Sequence, residues 1–167
     1  MVKKVIILTG PGGAGKTTIA KLLVKNHDFV LLDGDKEDAE FFPEGKHWLP
    51  ENLAKLHKSH NKIFKKAKEK FNKGESVVVD YIIFGHYLEF IAKFKKEFGD
   101  SLVIKVLLPS ETECIRRDKT RKCWTIGIDR IQAVRKEFVD MKDELGEENF
   151  IDTSNQTIEE TLRKITN

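Results

Sequence analysis

Gly10-Pro11-Gly12-Gly13-Ala14-Gly15-Lys16-Thr17 satisfies the pattern G-x-x-x-x-G-K-[ST] at every position. The apolar run Val5-Ile6-Ile7-Leu8 precedes it, and Ile19, Ala20, Leu22 and Leu23 follow at helical spacing. A strand, a glycine-rich turn and a helix in that order predict a phosphate-binding loop. Three of the four spacer positions hold Gly or Pro, so the backbone turns sharply and aims successive N–H groups inward. The helix beginning near Gly15 adds its positive end to the same anion hole. Gly10 to Thr18 is therefore the expected nucleotide cradle. Lys16 is expected to bridge the β- and γ-phosphates, and the Thr17 hydroxyl to ligate magnesium, which makes ATP and Mg2+ the implied cofactors.

Outward from this loop, short unbroken apolar runs alternate with longer segments of helical period. The runs are Val5–Leu8, Phe29–Leu32, Val77–Val79, Leu102–Leu108 and Asn149–Ile151. Such runs suit strands buried on both faces, hence a parallel sheet covered by helices. Leu53, Leu56, His60, Phe64, Ala67 and Phe71 form one helical stripe with Gly74 as its stop. Ile131, Val134, Phe138, Met141 and Leu145 form another, closed by Gly146. Ser110 with Glu113, and Thr157 with Glu160, have the spacing of capping boxes that open two further helices. The expectation is an α/β three-layer sandwich on a five-stranded parallel sheet. No repeat or linker divides the chain, so residues 1–167 read as a single domain.

Two acidic positions bear on chemistry. Asp80 ends the Val77–Val79 run, where a carboxylate beside the phosphate loop can hold a magnesium-bound water. Asp33 and Asp35 end the second run, and residues two apart on an extended chain share a side. Both are expected to face the cleft at the carboxyl end of the sheet, with Asp35 favoured as the base that deprotonates an attacking hydroxyl. Asp-Gly-Asp is also good turn chemistry, and that reading stays open.

At 167 residues the chain can bury a full core unaided. The net charge of +3 comes from scattered lysines with no compact cluster, so nucleic acid is not indicated. Cys114 and Cys123 fit no metal or redox spacing. The four-residue apolar run at Val5–Leu8 is too short for a membrane span or a signal-peptide core, which predicts a cytoplasmic protein with no membrane partner. Oligomeric state is left open.

The loop opening Gly10-Pro11-Gly12-Gly13, the aspartates after the second strand and the Val77-Val78-Val79-Asp80 strand resemble the shikimate-kinase-like small-molecule kinases. The later order, through Asp152-Thr153 and the final helix, is similar to the chloramphenicol phosphotransferase-like branch. The resemblance implies the shikimate/adenylate kinase type of P-loop fold with a small lid at about 116–130 and an acceptor segment at about 34–75. It also implies that Asp35 is the base, that Asp33 and Asp35 occupy an acceptor-binding pair, that Arg117 lies against adenine and that Arg121 reaches the phosphates. Arg130 would be a further lid cation, and Asp152-Thr153-Ser154 the adenine-side loop.

None of the six arginines lies before Arg116, so the acceptor wall from Gly34 to Glu75 has lysine as its only strong cation. Arginine's planar fork is the usual grip on carboxylate or phosphate. Its absence points to a small, largely uncharged acceptor bearing a hydroxyl. Phe41, Phe42, Trp48 and His47 either line a pocket for that molecule or anchor the loop to the core. The reading is thus an ATP-dependent phosphotransferase on an alcohol group. Alternatives are a nucleoside or polynucleotide 5′-hydroxyl kinase and, from another class, a nucleotide-hydrolysing regulatory protein. The chain has no N-K-x-D guanine-reading motif to support the latter.

Overall fold

The computed structural model describes residues 3–47, 49–83, 87–121 and 125–166. Trp48, Cys123 and the 122–124 stretch of the expected lid lie outside the described residues. The five strands are β1 (Val5–Thr9), β2 (Phe29–Asp33), β3 (Ser76–Asp80), β4 (Leu102–Leu107) and β5 (Phe150–Ile151). They form one parallel sheet in the order β2-β3-β1-β4-β5. The helices are α1 (Lys16–His27), α2 (Gly34–Asp38), α3 (Leu53–Asn72), α4 (Leu88–Phe98), α5 (Glu111–Lys119), α6 (Ile128–Asp140), α7 (Lys142–Leu145) and α8 (Ile158–Thr166).

Alternation along β1 divides the interior into two cores. Val5 and Ile7 point to one face, where they meet Ile63 and Phe64 of α3, Phe90 and Phe94 of α4 and Phe138 of α6. Ile6 and Leu8 point to the other, against Ile19, Ala20 and Leu23 of α1 and Ile165 of α8. Both faces being covered explains why the strands read as unbroken apolar runs. The three-layer sandwich foreseen from those runs is the fold.

The helices depart from the sequence reading at α2, at α4 and at the break between α6 and α7. The stripe from Ile131 to Leu145 is split into α6 and α7 at Met141, although its five residues are all buried as expected. Helix α4 was not foreseen, yet Phe90, Ile91, Phe94 and Phe98 bury one face of it. Of the two capping boxes, Thr157 and Glu160 exchange hydrogen bonds in both directions, at 3.1 and 2.7 Å. At Ser110 only half the box forms: the hydroxyl accepts from Glu113 N–H, while the Glu113 carboxylate turns to Arg116 and Arg117.

Candidate active site

β1 and β3 are neighbours in register, with Leu8 beside Asp80, so the phosphate loop and the acidic tip of β3 leave the sheet side by side. The loop's curvature depends on close backbone approaches. A Cβ at Gly13, whose φ is +76°, would lie 2.6 Å from the Cys114 carbonyl of α5. Helix α1 starts with Gly15 in the left-handed region, no side chain caps it, and its first turn carries no acid. Its amide donors are therefore left for an anion. The Lys16 ammonium donates to Pro11 O at 2.9 Å across the loop. Burial lowers its proton affinity, and Asp80 and then Asp35 work against that.

The Thr17 hydroxyl donates to Asp80 Oδ2 at 2.7 Å. Burial raises the Asp80 carboxyl, while Lys16 and this hydrogen bond hold it down. A hydroxyl and a carboxylate oxygen side by side beneath the phosphate loop are the hard oxygen donors that Mg2+ takes, with phosphate oxygens and water completing its shell. The pair fits the ion.

Asp35 and Asp33 separate. β2 ends at Asp33 and α2 begins at Gly34, so the period-two argument stops where the chain curls. Asp33 is the N-cap of α2: its Oδ1 accepts from Lys36 N–H at 3.2 Å and its Oδ2 lies 3.3 Å from the Lys36 ammonium. The turn chemistry prevails there, and Asp33 is not among the residues lining the cleft. The first turn of α2 instead brings Asp35 round to that cleft, together with Lys16, Thr17, Asp80, Arg117 and Arg121. Asp35 keeps a side open to water, but crowding in the cleft and then the charge of Asp38 push its carboxyl up to about 6, against the pull of Lys16. A carboxylate in that range is suited to accept a proton near neutral pH.

Behind α2 lies a buried polar cluster that the sequence did not reveal. Tyr81 follows Asp80; its hydroxyl donates to Asp38 Oδ2 at 2.8 Å, and a Cβ on Gly34 would fall 2.2 Å from its ring. His47 Nε2 sits 2.9 Å from the same Asp38 oxygen, and its ring packs 4.3 Å from Phe42. Phe42 is buried in the core and Phe41 packs against it, which anchors the acceptor loop; Phe41 also borders an open surface cleft beside Lys62 and Lys66, and neither ring lines the cleft that holds Asp35.

The arginines divide by task. Arg117 donates to Thr153 O at 2.8 Å and to Glu113 at 2.6 Å, and it also reaches Ala14 O at 3.5 Å, spanning the phosphate loop and the 153 loop. Beside it a second cleft is lined by Ala14, Thr18, Thr153, Gln156, Thr157 and Thr161, where the resemblance placed adenine. Arg121 stands close enough to Lys16 for the two like charges to be felt. Arg130 is half-buried in α6 near Glu137 and Tyr87 and is not among the residues lining the main cleft, which departs from its expected role as a lid cation. His60, on the apolar stripe of α3, is enclosed by Tyr87, Phe90 and Tyr81, and burial holds its imidazole down to about 3.

A parallel 2-3-1-4-5 sheet carrying this loop, with a carboxylate at the tip of each of two neighbouring strands, defines a P-loop nucleotide-binding enzyme of the kinase class. The chain belongs to the AAA domain family, whose model matches residues 5–147. A curated relative, the guanylate kinase of Prochlorococcus marinus strain MIT 9312, is 26% identical over 184 residues, covering 98% of this chain and 95% of its own. Among solved structures, a sugar kinase from Janibacter sp. HTCC2649 superposes with a TM-score of 0.75 at 13% identity, covering 98% of this chain and 92% of that one. The shikimate kinase of Acinetobacter baumannii, in complex with shikimate, does so with a TM-score of 0.62 at 18% identity, covering 98% and 91%. The expected likeness to shikimate kinases is thus found in the fold, and the chain is an ATP-dependent phosphotransferase. No helix among the described residues is long and apolar enough to cross a membrane.

Proposed function

We propose that the chain moves the γ-phosphoryl group of ATP to a hydroxyl of a small, largely uncharged acceptor, with Asp35 as the base. The observation that carries this reading is the convergence of Lys16, Asp35, Asp80 and Arg121 on one cleft of about 290 Å³. The acceptor oxygen forms a bond to the γ-phosphorus and the bond to the β,γ-bridging oxygen breaks. The hydroxyl proton passes to Asp35, and ADP leaves. Lys16 and Arg121 place positive charge where the transferring group gathers negative charge. Thr17 and Asp80 are the residues to hold Mg2+, which supplies charge neutralisation along the phosphates.

The uncharged character of the acceptor draws support from how the lysines near α2 are used. Lys62 pairs with Glu37 and Glu40, Lys66 with Glu37 and Lys36 with Asp33. Cations already matched by acids offer little to an anionic acceptor. The guanylate kinase relative favours a second reading, in which the acceptor is a nucleoside monophosphate.

A screen of ADP release tests this, with Mg·ATP and a panel of sugars, polyols, hydroxylated antibiotics, nucleosides, 5′-hydroxyl oligonucleotides and GMP. The proposal expects release that depends on an uncharged hydroxyl compound. Preference for GMP would favour the second reading, and release independent of every acceptor would point to a nucleotide-hydrolysing regulator.

A further inference from the structure

Asp118 is 3% exposed on a helix whose other charged residues reach water, and its two oxygens face the return limb of the chain. Both accept from the Ile126 N–H, at 3.0 and 3.1 Å, and Oδ2 also accepts from the Gly127 N–H at 3.3 Å. On the outgoing limb, Arg121 Nη1 lies 3.5 Å from Oδ1. One buried carboxylate therefore ties α5 to the segment that enters α6.

Two consequences reach the cleft. Lys16 and Arg121 are like charges facing the same space, so each disfavours the other there until an anion arrives. A carboxylate beside Arg121 offsets that repulsion and narrows the rotamers open to a long side chain. The other limb carries Ile126, whose Cδ1 stands where a side chain on Gly12 would begin: a Cβ built there would lie 1.9 Å away. Ile126 thus rests directly on the phosphate loop, held at its own N–H by Asp118.

We propose that Asp118 is a positioning residue that sets Arg121 at the phosphate end of the cleft and seats Ile126 on Gly12. The Arg121 half of this rests on the phosphotransfer reading above; the Ile126 half does not. Asp118 does not reach the cleft itself, being absent from its lining, and it acts through these two neighbours.

The experiment is a double-mutant cycle read by calorimetric binding of Mg·ATP and Mg·ADP to the wild type, Asp118→Asn, Arg121→Ala and the double variant. Asp118→Asn keeps the volume and one acceptor oxygen, so the fold is expected to survive, with a thermal melt as the check. The expected result is a loss of about tenfold in preference for ATP over ADP, the scale of one charge-assisted hydrogen bond. Arg121→Ala should lose a similar factor, and adding Asp118→Asn to it should change the preference less than twofold. Equal weakening of ATP and ADP by Asp118→Asn, or losses that multiply in the double variant, would overturn the positioning of Arg121. A wild type that binds neither nucleotide would defeat the phosphotransfer reading alone. Amide hydrogen exchange at Ile126 and Gly127 then decides: roughly tenfold faster exchange in Asp118→Ala, with slow exchange elsewhere in the sheet, supports the seating role. Unchanged exchange at both amides would sink it.

Discussion

The 2.7 Å hydrogen bond from Thr17 Oγ1 to Asp80 Oδ2 joins the first turn of α1 to the tip of β3, 63 residues away in sequence. It fixes the spacing of the two groups assigned to magnesium. It also gives a buried carboxylate a donor, without which the charge would be expensive to keep. Thr17→Val removes that donor and one oxygen ligand. Affinity for Mg·ATP is expected to fall by about tenfold or more, while affinity for ATP in EDTA changes much less. Calorimetry with and without Mg2+ checks this, and equal losses in both conditions would speak against the metal assignment.

The raised carboxyl of Asp35 makes a signed prediction for stability. In the unfolded chain an aspartate titrates near 3.8, and in the fold this one titrates at about 6. Between those values the folded state binds the extra proton, so the charged side chain lowers stability progressively as pH rises from about 4 to 6. Asp35→Asn should therefore be more stable than the wild type at pH 7, and the gain should fade below about pH 4. Urea unfolding at the two pH values measures it. A variant that is less stable at pH 7 would show that the carboxylate is better paired than the geometry indicates.

His60 acts in the opposite sense. Its folded value of about 3 lies below the ordinary 6.5, so the unfolded chain gains the proton first and stability is lost as pH falls from 6.5 towards 3. The slope approaches about 1.4 kcal/mol per pH unit within that window. His60→Leu has no proton to gain and also removes a buried Nε2 that finds no hydrogen-bond partner among the described residues. The variant is expected to gain on the wild type steadily from pH 6.5 to 4, with nucleotide binding unaffected, because the ring faces Tyr87 and Phe90 rather than the cleft.

Gly13→Ala is expected to cost about 1–3 kcal/mol and to weaken nucleotide binding as well. The new Cβ would meet the Cys114 carbonyl at 2.6 Å, and the residue would hold a φ of +76°. Gly12→Ala should cost less stability, since the obstacle is only the free end of the Ile126 side chain. A comparison of the two melts ranks them, and the reverse order would contradict the packing described.

What could be read in advance divides along the range of the interactions. The strands were legible because burial on both faces leaves an unbroken apolar signature, and the phosphate loop because its spacing is a local requirement of backbone geometry. Helix α4 carries a stripe in Phe90, Ile91, Phe94 and Phe98 that is local and therefore legible in the sequence. Helix α2 was hidden: Asp33-Gly34-Asp35 has equally good turn chemistry, and five residues are too few to show a period. Contacts between distant elements left no trace in the chain order. Tyr81 meets Asp38 across 43 residues, and Asp118 in α5 reads as an ordinary charged helix position until Ile126 is folded back onto it. Such pairs are set by the packing of whole elements.

The proposed function turns on Asp35 taking the proton from the acceptor hydroxyl. Its most direct test is the acceptor-dependent rate of ADP formation by Asp35→Asn, measured beside its affinity for Mg·ATP. Binding is expected to stay within a few-fold of wild type while the rate falls by about 10²–10⁴, the range for removing a general base. A variant that binds Mg·ATP normally and still turns over an acceptor at close to the wild-type rate would contradict it.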